Sequence, residues 1–187
     1  MSGNIRSFIA FDIEDQQILK RIIDFQRLIV NTGADLKLVE PQNIHITIRF
    51  LGNITPTMVD QIHEEMKKIS FAPFKVRIQG VGAFPNIRYP RVIWVGMTQG
   101  TVELRNIFSQ LEPNLRKLGF NQDPKGFSPH ITIARVKSGR NKEQLIRQIE
   151  ESQNLEFGTF TAKCLRLKKS DLTPKGPIYS TLREVCP

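Results

Sequence analysis

The sequence predicts an α+β fold of two lobes made by internal duplication, and three observations carry that prediction. Apolar residues recur at intervals of two in some segments and of three to four in others, so strands and helices alternate along the chain. The tetrapeptide His-Ile-Thr-Ile occurs twice, at His45–Ile48 and at His130–Ile133, 85 positions apart. Around both copies the order of elements is the same: strand, helix, strand bearing the tetrapeptide, helix, strand.

The elements follow in order. Phe8-Ile9-Ala10-Phe11 reads as a buried strand. Ile18, Ile22, Phe25, Leu28 and Ile29 form a helical stripe with Gly33 as its stop. Leu36 to Val39 is a short strand, and Asn43 to Leu51 a longer one in which Ile44, Ile46, Ile48 and Phe50 alternate with His45, Thr47 and Arg49. Thr55-Pro56 starts a helix carrying Val59, Ile62, Met66 and Ile69. Phe74 to Ile78 alternates as a strand, and the Gly/Pro-rich stretch Gly80 to Pro90 reads as a loop.

The second half repeats this. Arg91 to Met97 is strand-like, and Val102 to Leu118 is helical, with a kink or break expected at Pro113 and a stop at Gly119. His130 to Val136 is the second motif strand, and Asn141 is the expected cap of a helix with Leu145, Ile146 and Ile149. Phe157 to Leu167 and Ile178 to Val185 read as closing strands. The 85-residue offset carries Phe8 to Ile93, Thr55 to Arg140 beside Asn141, and Phe74 to Thr159. The expectation is one domain, 1–187, with lobes at about 1–85 and 91–187 and room for strand exchange between them.

Composition narrows the function classes. With 40% hydrophobic and 24% charged residues the chain is ordinary globular protein, and 12 Gly and 11 Pro without a period exclude collagen-like and low-complexity classes. The formal charge of +9 favours a polyanionic partner such as nucleic acid or a phosphate ester. The second half, residues 94–187, contributes +6 of it. Cys164 and Cys186 are too few for a disulfide framework, although one bridge between them is open, and no zinc-ligand spacing appears. Apolar runs are strand-length, and the segment from Met1 to Phe11 turns acidic at Asp12, Glu14 and Asp15 rather than continuing as a signal peptide. A cytoplasmic protein without a membrane segment is expected.

The chemistry points to the two tetrapeptides. Side chains alternate along a strand, so each motif sets His and Thr on one face and both Ile on the other. Lobes related by a pseudo-two-fold would aim both polar faces at one cleft. Histidine titrates near neutrality, so a neutral ring serves as base while a charged one serves as acid. Threonine hydroxyls donate to nonbridging phosphate oxygens. That set suits in-line displacement at a phosphodiester without a metal or other cofactor. It does not suit acyl transfer, because no Ser/His/Asp or Cys/His constellation stands out. The third histidine, His63, sits among Glu64, Glu65 and Lys67 and is expected on a solvated helix face.

Paired His-x-Thr-x (HxTx) motifs in a small basic domain resemble the 2H phosphoesterase superfamily, most of all its RNA 2′,3′-cyclic phosphodiesterase, or 2′-5′ RNA ligase-like, branch. The flanks agree: Phe8 to Phe11, His45 to Gly52, Gly82 to Gly96 with Phe84-Pro85, Phe127 to Arg135, and Tyr179 in a C-terminal strand. The resemblance implies two antiparallel sheets forming a central groove with helices outside. It implies hydrolysis of an RNA 2′,3′-cyclic phosphate to a 2′-phosphate, with His45 as proton donor, His130 as proton acceptor, and Thr47 and Thr132 on the phosphate. The implied partner is an RNA or oligonucleotide end bearing the cyclic phosphate, and a monomer suffices.

Four further residues follow from the resemblance or from parity. Arg135 is a phosphate contact by resemblance, yet strict alternation turns it away from His130 unless the strand ends, twists or bulges there. Arg49 has the parity of His45 and is a second phosphate candidate, with a surface charge as its other role. Phe11 and Tyr179 are candidates for stacking on a base. The basic stretches Arg135 to Arg140 and Lys163 to Lys169 read as solvated surface, the latter with Cys164, Arg166 and Lys168 on its wet side. The alternatives are a 2′-5′ RNA ligase using the same groups in reverse, and a non-catalytic RNA-binding module.

Overall fold

A computed structural model describes residues 3–187, leaving Met1 and Ser2 outside it. Strand β1 (Ile5–Asp12) is followed by helix α1 (Gln16–Val30), whose first N–H groups, those of Gln17 and Ile18, donate to the Asp15 carboxylate. Then come β2 (Leu36–Leu38), β3 (His45–Ile54), α2 (Pro56–Lys67) and β4 (Phe74–Phe84). The second half contributes β5 (Val92–Gln99), α3 (Thr101–Lys117), β6 (Ile131–Val136), α4 (Lys142–Glu151), β7 (Glu156–Ala162), β8 (Leu165–Thr173) and β9 (Gly176–Val185).

These strands form two wholly antiparallel sheets, ordered β3-β1-β8-β9 and β2-β6-β5-β4-β7. Under the 85-residue offset β1 matches β5 and β3 matches β6, and β1 lies beside β3 in its sheet as β5 lies beside β6 in the other. Each sheet also takes strands from the other half of the chain: β4 pairs with β5 and β7, and β8 pairs with β1. Helices cross over as well, since α1 packs on β6 and β7 while α3 packs on β3. The motif isoleucines Ile46, Ile48, Ile131 and Ile133 are all buried in one continuous core. That core holds the two motif strands against each other along the seam.

Several expected boundaries shift for identifiable reasons. The stretch read as a loop from Gly80 is strand as far as Phe84, because Val81 to Phe84 pair in register with Val95 to Val92 of β5. Helix α3 runs through Pro113 unbroken; its buried stripe of Leu104, Ile107, Leu111 and Leu115 continues on both sides of the proline and holds the turns in place. Phe157 to Leu167 is not one strand, since the chain leaves the second sheet at Ala162 and enters the first at Leu165. Thr55 and Asn141 stand at helix starts without side-chain capping bonds. Cys164 and Cys186 are bonded to each other, tying the start of β8 to the end of β9. Among the described residues no helix is long and apolar enough to cross a membrane.

Candidate active site

His45 opens β3 and His130 stands immediately before β6. Each imidazole is pinned in the same way, by a backbone carbonyl two residues upstream. His45 Nδ1 lies 2.6 Å from the Asn43 carbonyl oxygen, and His130 Nδ1 lies 2.7 Å from that of Ser128. A carbonyl only accepts, so Nδ1 carries the proton in both rings and Nε2 is left for chemistry. The supporting loops are themselves anchored. The Asn43 amide donates to the Pro177 carbonyl at 2.9 Å, and Phe127, just before Ser128, stacks on Phe108 of α3 at 5.2 Å.

The two histidines differ beyond this. His45 Nε2 is 2.7 Å from Thr47 Oγ1, whereas His130 Nε2 has no hydrogen-bond partner among the described residues. His45 is walled by Phe8 at 4.9 Å and the edge of Tyr179 at 5.4 Å; Phe84 meets His130 edge-on at 4.8 Å. Burial pushes both imidazoles below their ordinary pKa of 6.5. For His45 the Asn43 carbonyl and the Asp12 carboxylate oppose that shift, while the charges of Lys168 and His130 add to it. The two rings are near enough for the charge of one to act on the other. His130 has only the Ser128 carbonyl in its favour.

The strand registers decide the two arginines. Across β1, Thr47 faces Ala10 and Arg49 faces Ile9, which leaves Ile48 as an extra residue. Across β5, Thr132 faces Trp94 and Ala134 faces Ile93, which leaves Ile133 as the extra residue. One such bulge exchanges the faces of everything beyond it. Arg49 therefore turns to the helix side and forms a nearly buried ion pair with Glu112 of α3, reaching the Asn121 carbonyl as well. It is not at the phosphate position that parity predicts. Phe50 takes its place on the cleft side, 62% exposed and 6.1 Å from Phe8.

The same device brings Arg135 to the cleft. Ile133 and Ala134 are both fully buried and Arg135 is exposed. Its cross-strand partner is Val92, which in turn faces Phe84, the ring against His130. The charge of Arg135 also acts on the Tyr179 hydroxyl from the opposite sheet, opposing the upward push of burial on that group.

Phe11 does not reach the cleft. It is 1% exposed and packs edge-on against Phe71 and Phe74 in the core, so the stacking role assigned to it is corrected. An all-apolar run, Phe8 to Phe11, carries no alternation from which to choose the cleft-facing ring. Tyr179 is half-buried beside His45. Lys168, read as part of a wet face, is buried and donates to Asp12 Oδ2 at 2.8 Å and to Thr181 Oγ1 at 3.1 Å. Asp12, the cross-strand partner of His45, also accepts from Arg166. Their only signal in the sequence was an acidic and a basic residue far apart. His63 lies on α2 with Nε2 3.1 Å from the Glu184 carbonyl.

The sequence matches the family described as LigT like Phosphoesterase over residues 13–94 and again over 95–179, one match per half. It is 40% identical over 165 residues to a protein of Aeropyrum pernix named RNA 2′,3′-cyclic phosphodiesterase, covering 88% of this chain and 94% of that one. A protein of the same name from Methanocaldococcus jannaschii is 39% identical over 180 residues, covering 96% and 99%. In fold it is similar to E. coli LigT complexed with 3′-AMP, with a TM-score of 0.81, 21% identity and 98% of each chain covered. It is likewise similar to TT0787 of Thermus thermophilus, with a TM-score of 0.77, 25% identity and 97% of each chain covered. With the doubled motif, the paired sheets and relatives at this identity over nearly the whole length, the chain belongs to the LigT-like phosphoesterase family.

Proposed function

We propose that this protein hydrolyses the 2′,3′-cyclic phosphodiester at RNA ends, leaving a 2′-phosphomonoester and a free 3′-hydroxyl. The observation that carries the reading is the matched pinning of His45 and His130, which leaves two Nε2 atoms for one reacting group. His130 Nε2, unpartnered, accepts a proton from water as the water oxygen attacks phosphorus. The bond from phosphorus to O3′ breaks, and the proton on His45 Nε2 passes to O3′. The Asp12 carboxylate favours a charged His45, and no carboxylate does the same for His130. That asymmetry supports His45 as donor and His130 as acceptor.

Thr47, Thr132 and Arg135 hold the nonbridging oxygens, the arginine through charge-assisted hydrogen bonds. Phe50, with Phe8 and Tyr179 behind it, offers an exposed aromatic surface to the terminal base. No step requires a metal, and one chain supplies both histidines, so the enzyme works as a monomer. The test is to incubate an oligonucleotide ending in a 2′,3′-cyclic phosphate with the protein in excess chelator and to identify the product. A 2′-phosphate is expected. A product joined to a 5′-hydroxyl strand in place of hydrolysis, activity restored only by added metal, or binding without turnover would each overturn the reading.

A further inference from the structure

The second sheet carries a groove that the reaction above does not use. It measures about 850 Å³ and runs from Pro129, next to His130, past Trp94 to the end of α4 at Gln153 and Asn154. Its floor is shaped by what two glycines lack. Gly82 is the cross-strand partner of Trp94, and a Cβ there would stand 2.3 Å from the six-membered ring of the indole. A Cβ at Gly96, two residues beyond Trp94 on the same face, would stand 3.1 Å from that ring. The indole therefore occupies the space that two side chains would fill and lies along the sheet. Its Nε1 is buried without a partner among the described residues, while Trp94 is partly exposed and lines the groove. What it presents is ring carbon.

The surroundings suit one kind of ligand. A flat aromatic surface accepts any nucleobase by stacking. The amides of Asn86, Gln153 and Asn154 on the rim offer donors and acceptors to base edges, and Arg88 adds a guanidinium. Glu150 also lines the groove, so the site is not simply cationic and a bare phosphate is not its natural occupant. The groove adjoins the reacting centre through a chain of rings: Trp94 is 5.5 Å from Phe84, which is 4.8 Å from His130.

We propose that this groove is the subsite for a second nucleoside of the RNA substrate, with its base stacked on Trp94. The proposal rests on the phosphodiesterase reading for the identity of its ligand. Two sources supply the same chemistry: the nucleotide preceding the cyclic phosphate on its own strand, or a separate 5′-hydroxyl nucleoside seated on the His130 side.

Trp94 is the only tryptophan in the chain, so its fluorescence reports the groove directly. His130→Ala is titrated with adenosine 2′,3′-cyclic phosphate, with the dinucleotide ApA ending in the same cyclic phosphate, and with the mononucleotide plus free adenosine. Quenching by the dinucleotide and not by the mononucleotide assigns the groove to the preceding nucleotide. Quenching only when adenosine is added assigns it to a 5′-hydroxyl nucleoside. No quenching in any arm, or full quenching by the mononucleotide alone, overturns the proposal.

Kinetics supply a second readout in the unmodified active site. Loss of one stacked base changes affinity by roughly tenfold. Trp94→Leu, and independently Gln153→Trp to fill the groove from its rim, are expected to reduce the KM preference for dinucleotide over mononucleotide by about that factor. Equal losses on both substrates in both variants would mean that Trp94 only buttresses Phe84, against the proposal. Quenching by the dinucleotide without turnover of either substrate by the wild-type chain would remove the phosphodiesterase reading and leave the subsite standing.

Discussion

Phe50 and Arg135 hold the same place in the two halves of the chain. Each is the fifth residue after its motif histidine, and each follows a bulge at a buried isoleucine, Ile48 or Ile133. The repeated bulge turns an aromatic ring into the cleft from one sheet and a guanidinium from the other. The two walls thus differ in chemistry while sharing a backbone design, which suits the proposed substrate with its base on one side and its phosphate on the other.

The first prediction concerns the histidines. His45→Ala and His130→Ala are each expected to lower kcat by about 10²- to 10⁴-fold, the range for a positioned acid or base. Binding of a noncleavable 2′-phosphate product should change far less. Retention of full kcat in either variant, measured by product chromatography, would remove that histidine from the mechanism.

Arg135 and Arg49 should separate cleanly. Arg135→Ala removes charge-assisted hydrogen bonds of about 1.5–3 kcal/mol and is expected to lower kcat/KM by roughly 10- to 100-fold with little effect on melting. Arg49→Ala leaves Glu112 without its partner in a nearly buried pair, a loss of about 3–5 kcal/mol in stability. The reverse pattern, with Arg49→Ala folding normally and binding phosphate poorly, would contradict the bulge.

The aromatic residues give a parallel contrast. Phe11→Ala opens a cavity in the core and should cost about 3–5 kcal/mol, read from denaturant unfolding. Phe50→Ala removes an exposed ring, so its melting temperature should stay near that of the wild type. Its kcat/KM should fall by about one stacking interaction, roughly 1–3 kcal/mol. A Phe50→Ala enzyme as active as wild type would show that the terminal base lies elsewhere.

Burial holds both imidazoles below their ordinary 6.5, and the proposed roles need His130 neutral and His45 charged. Activity therefore rises with pH as His130 loses its proton and falls as His45 loses its own. The kcat/KM profile should be a bell with its maximum below pH 6.5; a maximum above pH 8 would contradict these roles. Asp12→Asn removes the carboxylate that favours charged His45, so the alkaline limb should move to lower pH. Stability has its own sign. A lowered folded-state pKa means that the unfolded chain binds more protons, so stability present above pH 6.5 is lost as pH falls below it. Melting curves at pH 5 and pH 7.5 should show this, and His45→Gln should narrow the difference.

The Cys164–Cys186 bond closes a 22-residue separation and ties the end of β9, the strand that carries Tyr179 to His45. Replacing both cysteines by serine should lower stability by about 3 kcal/mol, the loop-closure value for that length. Unchanged melting in the double variant would show that the strand holds without it.

Sequence alone determined what depends on one strand or one helix at a time. The duplicated tetrapeptide, the shared face of His45 with Thr47 and of His130 with Thr132, and the main buried positions of α1, α2 and α4, apart from Leu28, which is exposed, follow from periods of two and 3.6 along a single chain. Tertiary structure decided what depends on a partner. A bulge exists only relative to the strand beside it, so the facing of Arg49, Phe50 and Arg135 was set by the registers with β1 and β5. Burial of Lys168 required Asp12 from a strand more than 150 residues earlier in the chain. Phe11 and Phe8 were indistinguishable until one face of β1 met the core and the other met His45. Side-chain alternation is a local property of the backbone, and the point where it breaks is fixed by pairing between strands.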